Sequence, residues 1–170
     1  MVMKSAGPVN AATTTPPFRS PFEAVIVSTL PHFLPLIFIA GCEGGAHTTL
    51  YAVYSAVVAI SSLLSIVWHM QVERKNVWFW LDYLFAAAWT ILDIVVAFVV
   101  APLHVILTVI FLNVLVFVCN QLADLLSNKG IIPYETGHAA WHVLSWVKAV
   151  FVAYLVGCRY SISCRVATSP

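Results

Sequence analysis

VWFWLDYLFAAAWTILDIVVAFVVAPLHVILTVIFLNVLVFVCNQLA, residues 77–123, decides the fold. The stretch carries two carboxylates, Asp82 and Asp93, no lysine or arginine, and a single proline, Pro102. A helix needs ~20 apolar residues at ~1.5 Å rise to cross a hydrocarbon core. Residues 77–123 are therefore enough for two crossings and too few for three, with the turn at Pro102. The rest of the chain is similar: 61% of its 170 residues are hydrophobic and 9% are charged, where a soluble domain carries about 25% charged residues. The expectation is an all-α, polytopic transmembrane helix bundle of about five spans, at about 23–41, 48–70, 77–99, 102–123 and 137–157.

Residues 1–22 are rich in Ala, Thr and Pro without an apolar run, and read as a disordered tail, not a signal peptide. Residues 23–157 form the bundle and 158–170 a C-terminal tail. A net charge of +1 argues against a nucleic-acid partner. With five crossings, Lys4, Arg19, Arg74, Lys75 and Lys129 fall on one side and only Arg159 and Arg165 on the other. The positive-inside rule then places the N-terminus in the cytosol.

The same topology brings polar residues together. The end of the second span (His69) and the starts of the third (Asp82) and fifth (His138, His142) share the N-terminal side, within roughly 10 Å of depth. Ser65 lies one turn from His69. Asp82, Ala86 and Asp93 follow one seam of the third span, where Ala86 would allow close helix approach and Trp89 would separate the carboxylates. Glu135 would join His138 and His142 if the last helix began early.

Aspartate at mid-helix costs on the order of 2.5–3.5 kcal/mol to insert, so such groups persist where they pair or work. H-x-x-x-H on one helix face, joined by His69, is the geometry by which imidazoles close on one zinc ion. Three nitrogen ligands leave a fourth position for water, which Asp82 would hold and deprotonate, with Ser65 hydrogen-bonding a ligand or developing oxyanion. The plainer reading is that the histidines sit at headgroup level and the polar stripe is interhelical hydrogen bonding alone.

Ser65-x-x-x-His69, then Asp82, then His138-x-x-x-His142 resembles the signature of the CREST superfamily of membrane hydrolases, which includes alkaline ceramidases, progestin and adiponectin receptors, GPI-lipid-remodelling proteins and myomaker-like proteins. HAAWH at 138–142 is similar to the H-x-x-W-H of ceramidase-like and GPI-remodelling members, and LDYLFAA at 81–87 to the start of the third helix in the GPI-remodelling proteins and the receptors. The resemblance covers roughly residues 50–157. It implies His69, His138 and His142 as zinc ligands, Asp82 as the residue that positions water, Ser65 as its assistant, and hydrolysis of a membrane-lipid amide or ester. The superfamily has seven spans where this chain has about five. A homo-oligomer would supply walls that the shorter bundle lacks.

Outside this set, Lys148 and Asp93 are expected to form an intramembrane ion pair, with snorkelling of Lys148 toward a wet cavity as the alternative. Asn113, Asn120, Gln121 and Asp124 read as interhelical hydrogen bonders or caps. His32, His47 and His104 read as structural or interfacial, and Trp68, Trp78, Trp80 and Trp141 as interfacial anchors. Cys42 is placed to form a disulfide with Cys158 or Cys164, palmitoylation and plain packing being equal alternatives. Three functions fit these residues: a zinc-dependent lipid hydrolase, a non-catalytic lipid-sensing or structural membrane protein that retains the metal, and a small-solute or proton path gated by Asp93 and Lys148.

Overall fold

The computed structural model describes residues 23–40, 47–71 and 75–155, and every regular element among them is helical. The expected disulfide of Cys42 and both expected tails lie outside the described residues.

The first expected span is not one helix. It comes as α1 (Ala24–Thr29), a 3-10 turn (Leu30–Phe33) and α2 (Pro35–Ala40). Pro31 and Pro35 cause the break, because neither offers an N–H to the carbonyl four residues earlier. The Val27 carbonyl accepts from Leu30 N–H instead, and the Pro31 carbonyl accepts from Leu34 at 3.0 Å. Ser28 and Thr29 turn their hydroxyls back onto the Val25 carbonyl, at 2.8 and 2.9 Å.

The remaining helices are continuous: α3 (Thr48–Met70), α4 (Val77–Val100), α5 (Leu103–Asn128) and α6 (Tyr134–Ala153). Asn76 ties α3 to α4. Its Oδ1 caps Trp78 and Phe79 N–H, and its Nδ2 donates to Gln71 Oε1 at 2.6 Å. Pro102 stands just ahead of α5, where its missing N–H costs nothing.

The α5–α6 connection departs most from expectation. The apolar run ends near residue 123, but α5 continues to Asn128, because polar residues at a water-facing helix end do not break a helix. Gly130, at φ 68°, stops it. Ile131 N–H bonds to Leu126 O and Gly130 N–H to Ser127 O, the paired closure of a Schellman motif. Pro133 then starts α6 at Tyr134, three residues early, and Glu135 occupies its exposed first turn. Gly137 lets α6 lie close on α5: a Cβ there would sit 2.8 Å from Ile132 Cδ1 and 3.4 Å from Ala123 Cβ.

α1 packs on α3 and α6, α3 on α4, α4 on α5, and α5 on α6, so the helices close into a ring. Its interior is apolar, with Tyr54, Val58, Val96, Val109 and Val152 fully buried, and small residues Ala97, Ala149 and Ala153 at the close approaches. Outside, Leu84, Ile91 and Phe98 recur every seven residues on α4, and Leu107, Phe111, Val114 and Val118 cover α5, all exposed. An outer surface this apolar suits lipid, not water. Among the described helices, α3, α4 and α5 are long and apolar enough to cross a membrane. The first segment is too short and α6 does not qualify on composition. Ala86, expected at a close helix approach, is exposed instead.

Because nothing lies within 4 Å of a Cβ added at Gly130, replacement there tests backbone conformation alone. Gly130→Ala is expected to lower stability by about 1 kcal/mol, and Gly130→Asn by less, because Asn tolerates the left-handed region. Thermal unfolding in detergent reads the order of the two.

Candidate metal centre

His69 is the penultimate residue of α3, two residues before Gln71, whose side chain accepts from Asn76 at the start of α4. His138 and His142 lie one turn apart in the first half of α6 and project to the same side. The three rings form a nearly equilateral triangle. Centroids are 5.0 Å apart for His69 and His138, 4.9 Å for His69 and His142, and 4.8 Å for His138 and His142, with the rings steeply inclined to one another. All three are buried, and one ligand nitrogen from each lies within 4.8 Å of the other two. The set could therefore hold a metal ion, as the sequence spacing predicts.

The chemistry of the donors fits such an ion. His142 Nε2 and His69 Nε2 are 2.9 Å apart, a separation that without a cation requires a proton between them. Metal–nitrogen bonds of ~2.0–2.1 Å in tetrahedral geometry put ligand nitrogens about 3.3 Å apart, so the pair opens by only a few tenths of an ångström. His138 faces the Tyr134 hydroxyl at 3.3 Å through Nδ1, the outer-nitrogen hydrogen bond that orients a ligating imidazole. His142 has no such support: its Nδ1 is buried without a hydrogen bond.

Aromatic rings wall the triangle. Trp68 lies 4.8 Å from the His69 ring, Trp141 4.7 Å from His142, and Tyr134 stacks on His138 at 5.2 Å. Two of the tryptophans expected as interfacial anchors thus have another place. Trp68 is buried, and Trp141 is half-buried with its Nε1 lacking a partner, whereas Trp80 is exposed as an anchor should be. Trp68 takes the inward face by packing against Phe79 and Tyr83 of α4.

Asp82 is buried on α4 and is hydrogen-bonded by the Ser65 hydroxyl of α3. The two residues expected to act together do meet, although Asp82 is not one of the groups within 4.8 Å of each other. Glu135 does not join them, being exposed. His104 is exposed at the start of α5, at the other end of the bundle.

His32 is the residue that the sequence reading missed. It is buried on the 3-10 turn, edge-on to His142 at 5.4 Å and to Trp89 at 5.9 Å. Its Nδ1 donates to the Thr29 carbonyl at 3.0 Å, which leaves Nε2 as the acceptor. No spacing in the sequence links His32 to HAAWH; only the packing of the 3-10 turn on α6 does.

A second polar layer lies deeper, about 21–24 Å from the same end of the bundle on all four long helices. Lys148 Nζ donates to Asp93 Oδ2 at 2.6 Å and to Asn113 Oδ1 at 3.0 Å. Tyr54 donates to Asp93 Oδ1 at 2.7 Å, and Trp89 Nε1 donates to the Tyr54 oxygen at 3.2 Å. The expected ion pair is present, and Asn113 makes the expected interhelical bond.

The chain matches no protein-family model, no curated protein and no solved structure, so the reading of this centre rests on its own geometry. Purified wild type is expected to carry about one transition-metal ion per chain. His138→Ala should lose it and His104→Ala should keep it, as read by elemental analysis after dialysis. Well-folded wild type that takes up no metal on reconstitution would remove the centre.

Proposed function

We propose that the chain is a zinc-dependent intramembrane hydrolase that cleaves an amide or ester bond of a membrane lipid. The observation that carries the proposal is the buried triangle of His69, His138 and His142 in one half of a ring whose outer face is apolar. Bound by three imidazoles, zinc would supply Lewis acidity and an acidified water at its open position.

The protein's own residues supply the rest. Asp82 would take the proton from the nucleophile and return it to the leaving group, in the role of general base and acid. Its hydrogen bond from Ser65 orients the carboxylate across the α3–α4 interface. Trp68, Trp141 and Tyr134 exclude bulk water, so any charge that develops is met by protein groups in a low-dielectric setting. The order of these residues along the chain supports the resemblance to the CREST superfamily. The excess of basic residues that the sequence assigns to that side supports a site toward the cytosolic leaflet, with the N-terminus inside. The lipid reaches the site laterally from the bilayer.

The depth of the ligands favours a second reading, in which the metal serves folding and the protein senses lipid or scaffolds a complex. His69 is 0% and His142 2% exposed, and closed sites are more often structural. A solute path gated by Asp93 and Lys148 fits less well, because both carboxylate oxygens and two of the three ammonium N–H groups are engaged within the protein.

Metal-loaded protein in vesicles containing ceramide, phospholipid and acylated glycolipid is expected to release fatty acid, detected by mass spectrometry. Asp82→Asn should lower turnover by about 10²–10⁴-fold with unchanged metal content, and Ser65→Ala by about 10–100-fold. Equal turnover in Asp82→Asn would sink the hydrolase, and a metal-loaded wild type inert toward all three lipid classes would leave the structural reading.

A further inference from the structure

α6 carries two of the three imidazoles, and over its described residues it falls short of the apolar length that α3, α4 and α5 reach. Its inward face explains this: Gly137, His138, His142 and Lys148 are buried in the ring, while Val143, Val147 and Phe151 face outward. Inside the bundle α6 is an acceptable membrane helix. Alone it presents an ammonium group to lipid, about 14 residues from its start.

The partner of that ammonium group is asymmetric to it. Asp93 lies on α4, which is long and apolar enough to cross with its carboxylate aboard. Tyr54 of α3 already donates to one carboxylate oxygen, at 2.7 Å, and is itself held by Trp89 of the same helix as Asp93. On the neighbouring α5, Asn113 is fixed by its own bond to the Val109 carbonyl at 3.0 Å, with its Oδ1 turned to the same point. Without α6, three helices thus present a polar socket of two oxygens, Asp93 Oδ2 and Asn113 Oδ1, and Lys148 Nζ fills both. The Trp89 ring, 5.6 Å from Nζ, covers the ammonium group on another side.

We propose that this socket is the docking site that carries α6 across the membrane, with Asp93 as its determinant and Lys148 as the residue it receives. The metal ligands of α6 then reach His69 only after the pair has formed. The inference requires that the helices span a bilayer. It does not require that the triangle bind metal or that the protein be an enzyme.

The test reads crossing directly. Two glycosylation acceptors on flexible inserts, one within Lys129–Pro133 and one after Pro170, are expressed singly in the full chain in microsomal membranes. In wild type, α6 crosses and only one of the two positions is modified, whichever way the bundle is oriented. Asp93→Ala is expected to bring both positions to the same side in most chains. Lys148→Leu alone should behave as wild type, since its helix no longer carries a charge, and Asp93→Ala with Lys148→Leu should restore opposite sides. Asp93→Ala chains that keep the positions on opposite sides would overturn the proposal, as α6 would then cross unaided. A double variant that fails to recover would overturn it too, by showing that loss of Asp93 acts through general misfolding, and so would a wild type with both positions on one side.

Discussion

A lysine ammonium group in the interior of an apolar ring is tolerable only when its charge and its donors are met. Lys148 meets that condition through Asp93 and Asn113, and Asp93 in turn through Tyr54. Taking away one partner of a buried pair costs far more than the intact pair contributes, because the survivor keeps its desolvation penalty without compensation. The requirement therefore specifies geometry more than it adds stability. Four helices must bring one depth and one face to a common point, and once they do, the positions of His69, His138 and His142 one layer away follow from helical periodicity.

The two polar layers are chemically separate. Trp89 stands between them, its indole nitrogen bonded to Tyr54 and its ring against His32. An indole N–H donates but does not accept, so no chain of proton transfer runs from the ion pair to the imidazoles through it. The triangle of histidines has the opposite character from the ion pair. His142 Nδ1 is buried without a hydrogen bond, whereas both carboxylate oxygens of Asp93 are engaged. The three imidazoles could share a metal ion.

Much of this was legible in the sequence. Apolar runs of the right length separated by short polar loops give the all-helical bundle, and the alternation of sides explains why His69, His138 and His142 converge. The depths of Asp93 and Lys148 in their spans also put the two within reach of one another. What was not legible depends on contacts between segments or on backbone chemistry that hydropathy does not register. Pro31 and Pro35 break the first segment, Gly130 and Pro133 move the ends of α5 and α6, and Trp68 turns inward beside His69. His32 belongs to this group as well: its link to the centre is the packing of the 3-10 turn on α6, which nothing in its local sequence announces.

His69 closes α3 and His138 lies in the opening turns of α6, so two of the three imidazoles hang from helix ends. Ends open locally at far lower free energy than a helix middle. An ion held there would enter or leave by opening of these helix ends, while the ion pair keeps the ring closed. Its exchange would then be a local event, governed by the helix ends and not by the lifetime of the folded bundle.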